Sequence, residues 1–169
     1  DTIVALSTPS GVGAIGVIRL SGEKSLEIVS KIFKGKDLTK QSSHTVHLGY
    51  IIDEKAVVDE VVVTIFKAPT SFTKENVAEI SCHGSQFILN QVIKLLIKNG
   101  ARYARPGEFT QRAFLNGQFD LAQAEAVADL ISAENESAHK AAMNQMRGGF
   151  SKEIKALREQ LIHFASLVE

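Results

Sequence analysis

Apolar and polar residues alternate with a period of two in several short stretches of the first two thirds of the chain, which predicts β-strands. Residues 2–7 (TIVALS) and 14–20 (AIGVIRL) are two of them, the second rich in β-branched side chains. Residues 44–53 and 56–67 flank Asp53-Glu54-Lys55 and read as a hairpin. Residues 77–82 (VAEISC) form another strand, and residues 102–105 a short last one, closed by Pro106-Gly107. Elsewhere the period lengthens to that of a helix. In residues 23–33 the positions Leu26, Ile28, Val29, Ile32 and Phe33 share one side. Residues 86–98 make a second helix, capped by Ser85 and ended at Asn99-Gly100. The segment between residues 34 and 43 reads as a polar loop.

The pattern changes near Asp120. From there the chain is helical, alanine-rich and free of proline. Asp120 with Gln123 makes a capping-box start. A short amphipathic helix bearing Phe109, Ala113, Phe114 and Leu115 precedes it, and another helix begins at about Glu136. Gly148-Gly149 is expected to bend that helix, each glycine costing about 1 kcal/mol against alanine. Its apolar seam is Met143, Met146, Phe150, Ile154, Leu157, Leu161, Phe164 and Val168, spaced by threes and fours as in a bundle or coiled coil. The seam runs to Glu169 without a C-terminal cap, and a glutamate there opposes the helix dipole. The expectation is a piece of a longer protein. The fold class expected is α+β: a mixed sheet with helices over residues 1–118, then the first helices of a helical domain over residues 119–169.

Composition narrows the functions. Lys and Arg number 19 against 19 Asp and Glu, so the whole chain has no electrostatic bias toward nucleic acid or membrane. Any RNA contact would be local or carried by a partner. One cysteine forms no internal disulfide and suits a reducing, cytoplasmic setting. No apolar run approaches a membrane span, and no secretory signal pattern opens the chain.

Residues 11–16, GVGAIG, fit the dinucleotide-loop pattern G-x-G-x-x-G, but that loop must open into a helix, and here a strand follows. A glycine turn allowing close backbone approach fits better. No phosphate-binding G-x-x-x-x-G-K-[ST] occurs, and the five histidines lack metal-ligand spacing; His44 and His47 are expected to face opposite ways. Cys82 and His83 are adjacent on a strand, so they face apart and His83 cannot serve Cys82 as a base.

Two segments share a strand–glycine–helix plan, VIRLSG (17–22) and AEISCHGS (78–85). Arg19 and Glu79 hold matching places in them. Alternation sets Glu79, Ser81 and His83 on a polar face, with Glu79 expected near a helix start. Such a pair is either an ion pair tying two strands or a ligand site. A carboxylate pairs bidentately with a two-N–H edge, and arginine suits carboxylate or carbonyl groups. Gln118 lies at a hinge between the two halves, where a cleft could form.

The stretch RPGEFTQRAFLNGQFDLAQAEAVADLI (105–131) closely resembles the signature of the MnmE (TrmE) tRNA-modification GTPases. The likeness continues in DTIVALSTPSGVGAIGVIRLSG (1–22) and in SFTKENVAEISCHG (71–84), and it covers essentially the whole chain. The resemblance implies a folate-binding, dimerising domain of the aminomethyltransferase-like type over residues 1–118, then the start of the central helical domain. It implies a formyl-tetrahydrofolate-type one-carbon donor such as 5-formyltetrahydrofolate. It also implies homodimers, the flavoprotein partner MnmG (GidA), and modification of the tRNA wobble uridine at its 5 position. The family's GTP, Mg2+ and K+ belong to a G domain absent from this chain, so no catalytic residue and no GTPase activity are assigned to it. The folate contacts fall on Arg19, Glu79 and Gln118, the last usually lysine in the family. Two alternatives stand beside this: a structural dimerisation module with a decayed folate pocket, and a folate-dependent aminomethyltransferase-like domain.

Overall fold

The computed structural model describes residues 1–168, except the side chains of Phe150 and Val168. The fold is α+β. Seven strands form one sheet: β1 (Ile3–Leu6), β2 (Ile15–Ser21), β3 (Phe33–Lys34), β4 (Thr45–Asp53), β5 (Ala56–Phe66), β6 (Val77–His83) and β7 (Arg102–Tyr103). Their order across the sheet is β3-β4-β5-β6-β2-β1-β7. Neighbours are antiparallel except β1 and β7. The hairpin turns at Glu54-Lys55, where Glu54 takes a left-handed conformation.

Two helices, α1 (Ser25–Ile32) and α2 (Gln86–Lys98), cover one face of this sheet. Their buried Val29, Ile32, Val92 and Leu96 pack with Ile18, Leu20, Val63, Ile65 and Ile80 from the strands. Each such side chain contributes about 1.5–3 kcal/mol by leaving water. Ser85 caps α2 as expected, its hydroxyl accepting the Ile88 N–H at 3.4 Å. Strand alternation then sends Arg19, Glu79, Thr64 and Val46, which sit side by side across the sheet, to the other face.

Two expectations need correction here. Phe33 is not the end of the first helix; it leaves it to pair with Ile51. The segment that follows is not simply a polar loop. It holds a 3-10 turn, Leu38–Lys40, with Leu38 fully buried in the core and the Asp37 carboxylate capping the turn. Hydrogen bonds from the Thr39 hydroxyl and N–H hold the Asp37 carboxyl below its ordinary pKa.

The chain divides into two compact units, residues 1–109 and 110–169, the division falling within α3 (Glu108–Leu115). The second unit contains α4 (Leu121–Ser132), α5 (Glu136–Met146) and α6 (Gly149–Val168). Both bonds of the Asp120–Gln123 capping box form, at 2.8 and 3.0 Å. Gln123 and Gln145 then tie α4 to α5 through the carbonyls of Met146 and Ala122. Gly148-Gly149 does more than bend a helix: α5 stops at Met146 and a new helix starts after Gly148, whose φ is +88°. Along α6 the seam residues Ile154, Leu157, Leu161 and Phe164 are exposed. The seam positions Phe150 and Val168, and the expectation drawn from Glu169, lie outside the described side chains.

Candidate functional site

Arg19 and Glu79 stand directly opposite each other on β2 and β6. They do not occupy equivalent ends of parallel units. Because the strands are antiparallel, the two helix starts lie at opposite ends of the pair, and Glu79 sits toward the end of β6 away from α2. Antiparallel register, not a shared helix-start plan, brings the two side chains together.

The guanidinium donates from Nε and Nη2 to Glu79 Oε1, at 3.2 and 3.1 Å. Both side chains keep about a quarter of their surface in solvent, 27% and 28%. Among the described residues nothing bonds Glu79 Oε2 or Arg19 Nη1. An anionic acceptor and a cationic donor therefore lie side by side with valence to spare. Two rings complete the surroundings: Phe72 and Phe109 each place their centroid 5.6 Å from Arg19 Cζ. At that distance each ring attracts the cation by about 0.5–1 kcal/mol.

The segments presenting those rings are anchored by buried polar contacts. Phe72 belongs to the turn before β6. There the buried Ser21 hydroxyl at the end of β2 lies 2.6 Å from Thr73 Oγ1 and donates to Glu75 Oε2 at 2.6 Å. Phe109 follows Glu108, a buried carboxylate bound by both Nη atoms of Arg102 and by the Arg105 N–H. That bond holds the Arg102 guanidinium above its ordinary pKa. Strand alternation gives no sign of Phe72, Phe109 and Glu108, since all three lie off the strands. The signal that held them was the pair of stretches 71–84 and 105–131.

Gln118 is placed in the second unit. Its N–H closes the turn after α3 by donating to the Ala113 carbonyl at 2.8 Å, and its side chain is exposed.

The other candidates find structural roles. The chain's own backbone approaches the GVGAIG turn closely: a Cβ on Gly84 would stand 2.1 Å from the Gly13 carbonyl oxygen. Gly84 N–H and Gln86 Nε2 donate to the Ala14 and Gly11 carbonyls, each at 3.1 Å. Cys82 is a buried free thiol, pushed up to about 12 by burial and then by the Asp59 carboxylate. His83 is turned away from it, holding Asp59 through Nδ1 and its own N–H, both at 2.8 Å. No cluster of three or more metal-ligating side chains exists among the described residues, nor any helix long and apolar enough to cross a membrane.

Comparison with known proteins gives the family. The family described as "GTP-binding protein TrmE N-terminus" matches residues 2–118, and "MnmE helical domain" matches residues 121–169. A protein named tRNA modification GTPase MnmE from Cytophaga hutchinsonii is 64% identical across the whole chain. Proteins of the same name from Flavobacterium psychrophilum and Bacteroides thetaiotaomicron are 61% and 54% identical, again over all of it. The chain spans 37% of the length of each of these relatives. It belongs to the MnmE (TrmE) family, of which it carries the N-terminal region and part of the helical domain.

Proposed function

We propose that residues 1–118 bind a reduced folate carrying a one-carbon unit, 5-formyltetrahydrofolate or a related form, and that two copies pair through this domain. The observation that carries the folate reading is the Arg19–Glu79 pair with Phe72 and Phe109 about it. A pterin presents a flat ring with an amino and a ring N–H side by side, which a carboxylate accepts as a fork. Glu79 has an oxygen left for that edge, and Arg19 a nitrogen for a carbonyl or carboxylate. The folate supplies the one-carbon unit; the chain orients it. Gln118 is proposed as a further contact on the strength of the family resemblance, with a neutral amide where lysine is usual.

Pairing with a second copy is supported by the sheet face that α1 and α2 leave uncovered. It carries exposed Val46, Leu48 and Tyr50 on β4 and Ile15 on β2. The run of three on β4 is the kind of exposed apolar surface a second copy could cover.

For the longer protein we propose the activity its relatives are named for. Residues 119–169 begin a helical domain that carries a G domain using GTP, Mg2+ and K+. The assembly works in the cytoplasm with the flavoprotein MnmG on the wobble uridine of tRNA. No residue of this chain is proposed as a catalyst of GTP hydrolysis.

Calorimetric titration of the full-length protein with 5-formyltetrahydrofolate tests the reading. One site per chain is expected, weakened about 10- to 100-fold in Glu79→Gln, or about 1.4–2.8 kcal/mol. Absence of binding by the wild-type protein would leave the second reading, a structural module whose Arg19–Glu79 bond only ties β2 to β6. That reading has its own support in the two bonds Arg19 already makes to Glu79 Oε1.

A further inference from the structure

We propose that Glu108 is a positioning residue: clasped by Arg102, it sets the Phe109 ring against Arg19 and so fixes how the guanidinium meets a ligand. This rests on the folate reading of Arg19 and Glu79 given above.

Glu108 opens α3 with its side chain only 9% exposed. Its Oε1 accepts Arg102 Nη1 at 3.1 Å and the Arg105 N–H at 2.8 Å, and its Oε2 accepts Arg102 Nη2 at 2.6 Å. Arg102 is itself immobilised. It lies on β7 in register with Ile3 and donates from Nε to Asp1 Oδ2 at 2.6 Å and from Nη1 to its neighbour's carbonyl, Tyr103 O, at 3.1 Å. The sheet edge thus holds the first residue of α3 in a two-pronged grip, and the next residue is Phe109. Pro106 and Gly107 between them are exposed, and the turn they make is closed by the Glu108 N–H, which donates to the Arg105 carbonyl at 3.0 Å.

A charge pair of this kind, its carboxylate buried and its guanidinium 37% exposed, is a poor source of net stability, because desolvation of the carboxylate offsets much of the attraction. Its value lies in direction. A bidentate fork tolerates little rotation, and the ring it places lies 5.6 Å from the cation that also binds Glu79. Misplacing a positioned group by about 1 Å weakens what depends on it by up to about a hundredfold.

The test uses the full-length protein labelled with 15N-arginine, reading the Arg19 Nε–H resonance, identified by its loss in Arg19→Lys. Glu108→Gln and Phe109→Leu should both move it in one direction, as the ring leaves the cation. Both should weaken 5-formyltetrahydrofolate about tenfold, and the double variant should be no weaker than Phe109→Leu alone. Arg102→Lys, which keeps the charge but loses the fork, stands in should Glu108→Gln not fold, and should move the resonance the same way. An Arg19 resonance unmoved by Glu108→Gln or Arg102→Lys in a folded protein overturns the proposal. Should the wild-type protein not bind the folate, the ligand reading fails, while the resonance still decides whether Glu108 positions Phe109.

Discussion

At the residue scale, single side chains divide sharply into those whose role is visible in their neighbours along the chain and those whose role is not. Arg19 and Glu79 were legible as chemistry because each is a charge set among β-branched residues. That they meet was not, since they lie in separate strands whose pairing direction no local pattern states. Cys82 is the converse case. Its place on the apolar side of VAEISCH accords with its burial, and with the thiol pushed up to about 12 it should resist iodoacetamide at pH 8 until the protein is unfolded. The linkage has a definite sign. The thiol ionises more easily unfolded, near 9, than folded, so its contribution to stability is complete below pH 9 and is lost as pH rises toward 12. Urea titrations of wild type and Cys82→Ala from pH 8 to 11 should diverge in that direction. Restoring the family's usual charge with Gln118→Lys should tighten folate binding, by about 1 kcal/mol if the group meets the ligand's carboxylates; unchanged affinity would remove Gln118 from the site.

Elements were read more surely than residues wherever cap and period agreed. Both bonds of the Asp120–Gln123 box and the Ser85 cap form as their spacing foretold. Asp120→Ala should cost about 1 kcal/mol, measurable by urea unfolding. The failures occurred where a tertiary contact outweighed local pattern. Phe33 continues the helical spacing of α1, yet it is drawn into a strand because pairing with Ile51 buries its ring. Leu38 is an isolated apolar residue among polar ones, invisible to a periodicity argument and fully buried. Gly84 illustrates a glycine whose reason is steric: with Gly13's carbonyl 2.1 Å from where a Cβ would lie, Gly84→Ala must push two backbone segments apart. A loss of about 2 kcal/mol or more is expected, and a melting temperature equal to wild type would contradict the contact.

For the whole molecule, the uncovered sheet face is the feature with the largest consequence. Leu48, 66% exposed on β4, makes a direct test: Leu48→Lys should shift the full-length protein from dimer to monomer in light scattering while leaving the core intact. A monomeric wild type would show that the face serves something else. By itself the amino-acid sequence determined the class of fold, the existence and type of nearly every element, the change of character near Asp120 and the family likeness. All of these depend on short-range spacing, caps and side-chain type, which are properties of neighbouring residues. Only the tertiary structure decided the sheet order, the antiparallel register that joins Arg19 to Glu79, the rings of Phe72 and Phe109 about them, and the clasp of Arg102 on Glu108. Those pairs lie far apart along the chain, and a hydrogen bond or ring contact between them is settled by which segments share a core, a competition that no local pattern records.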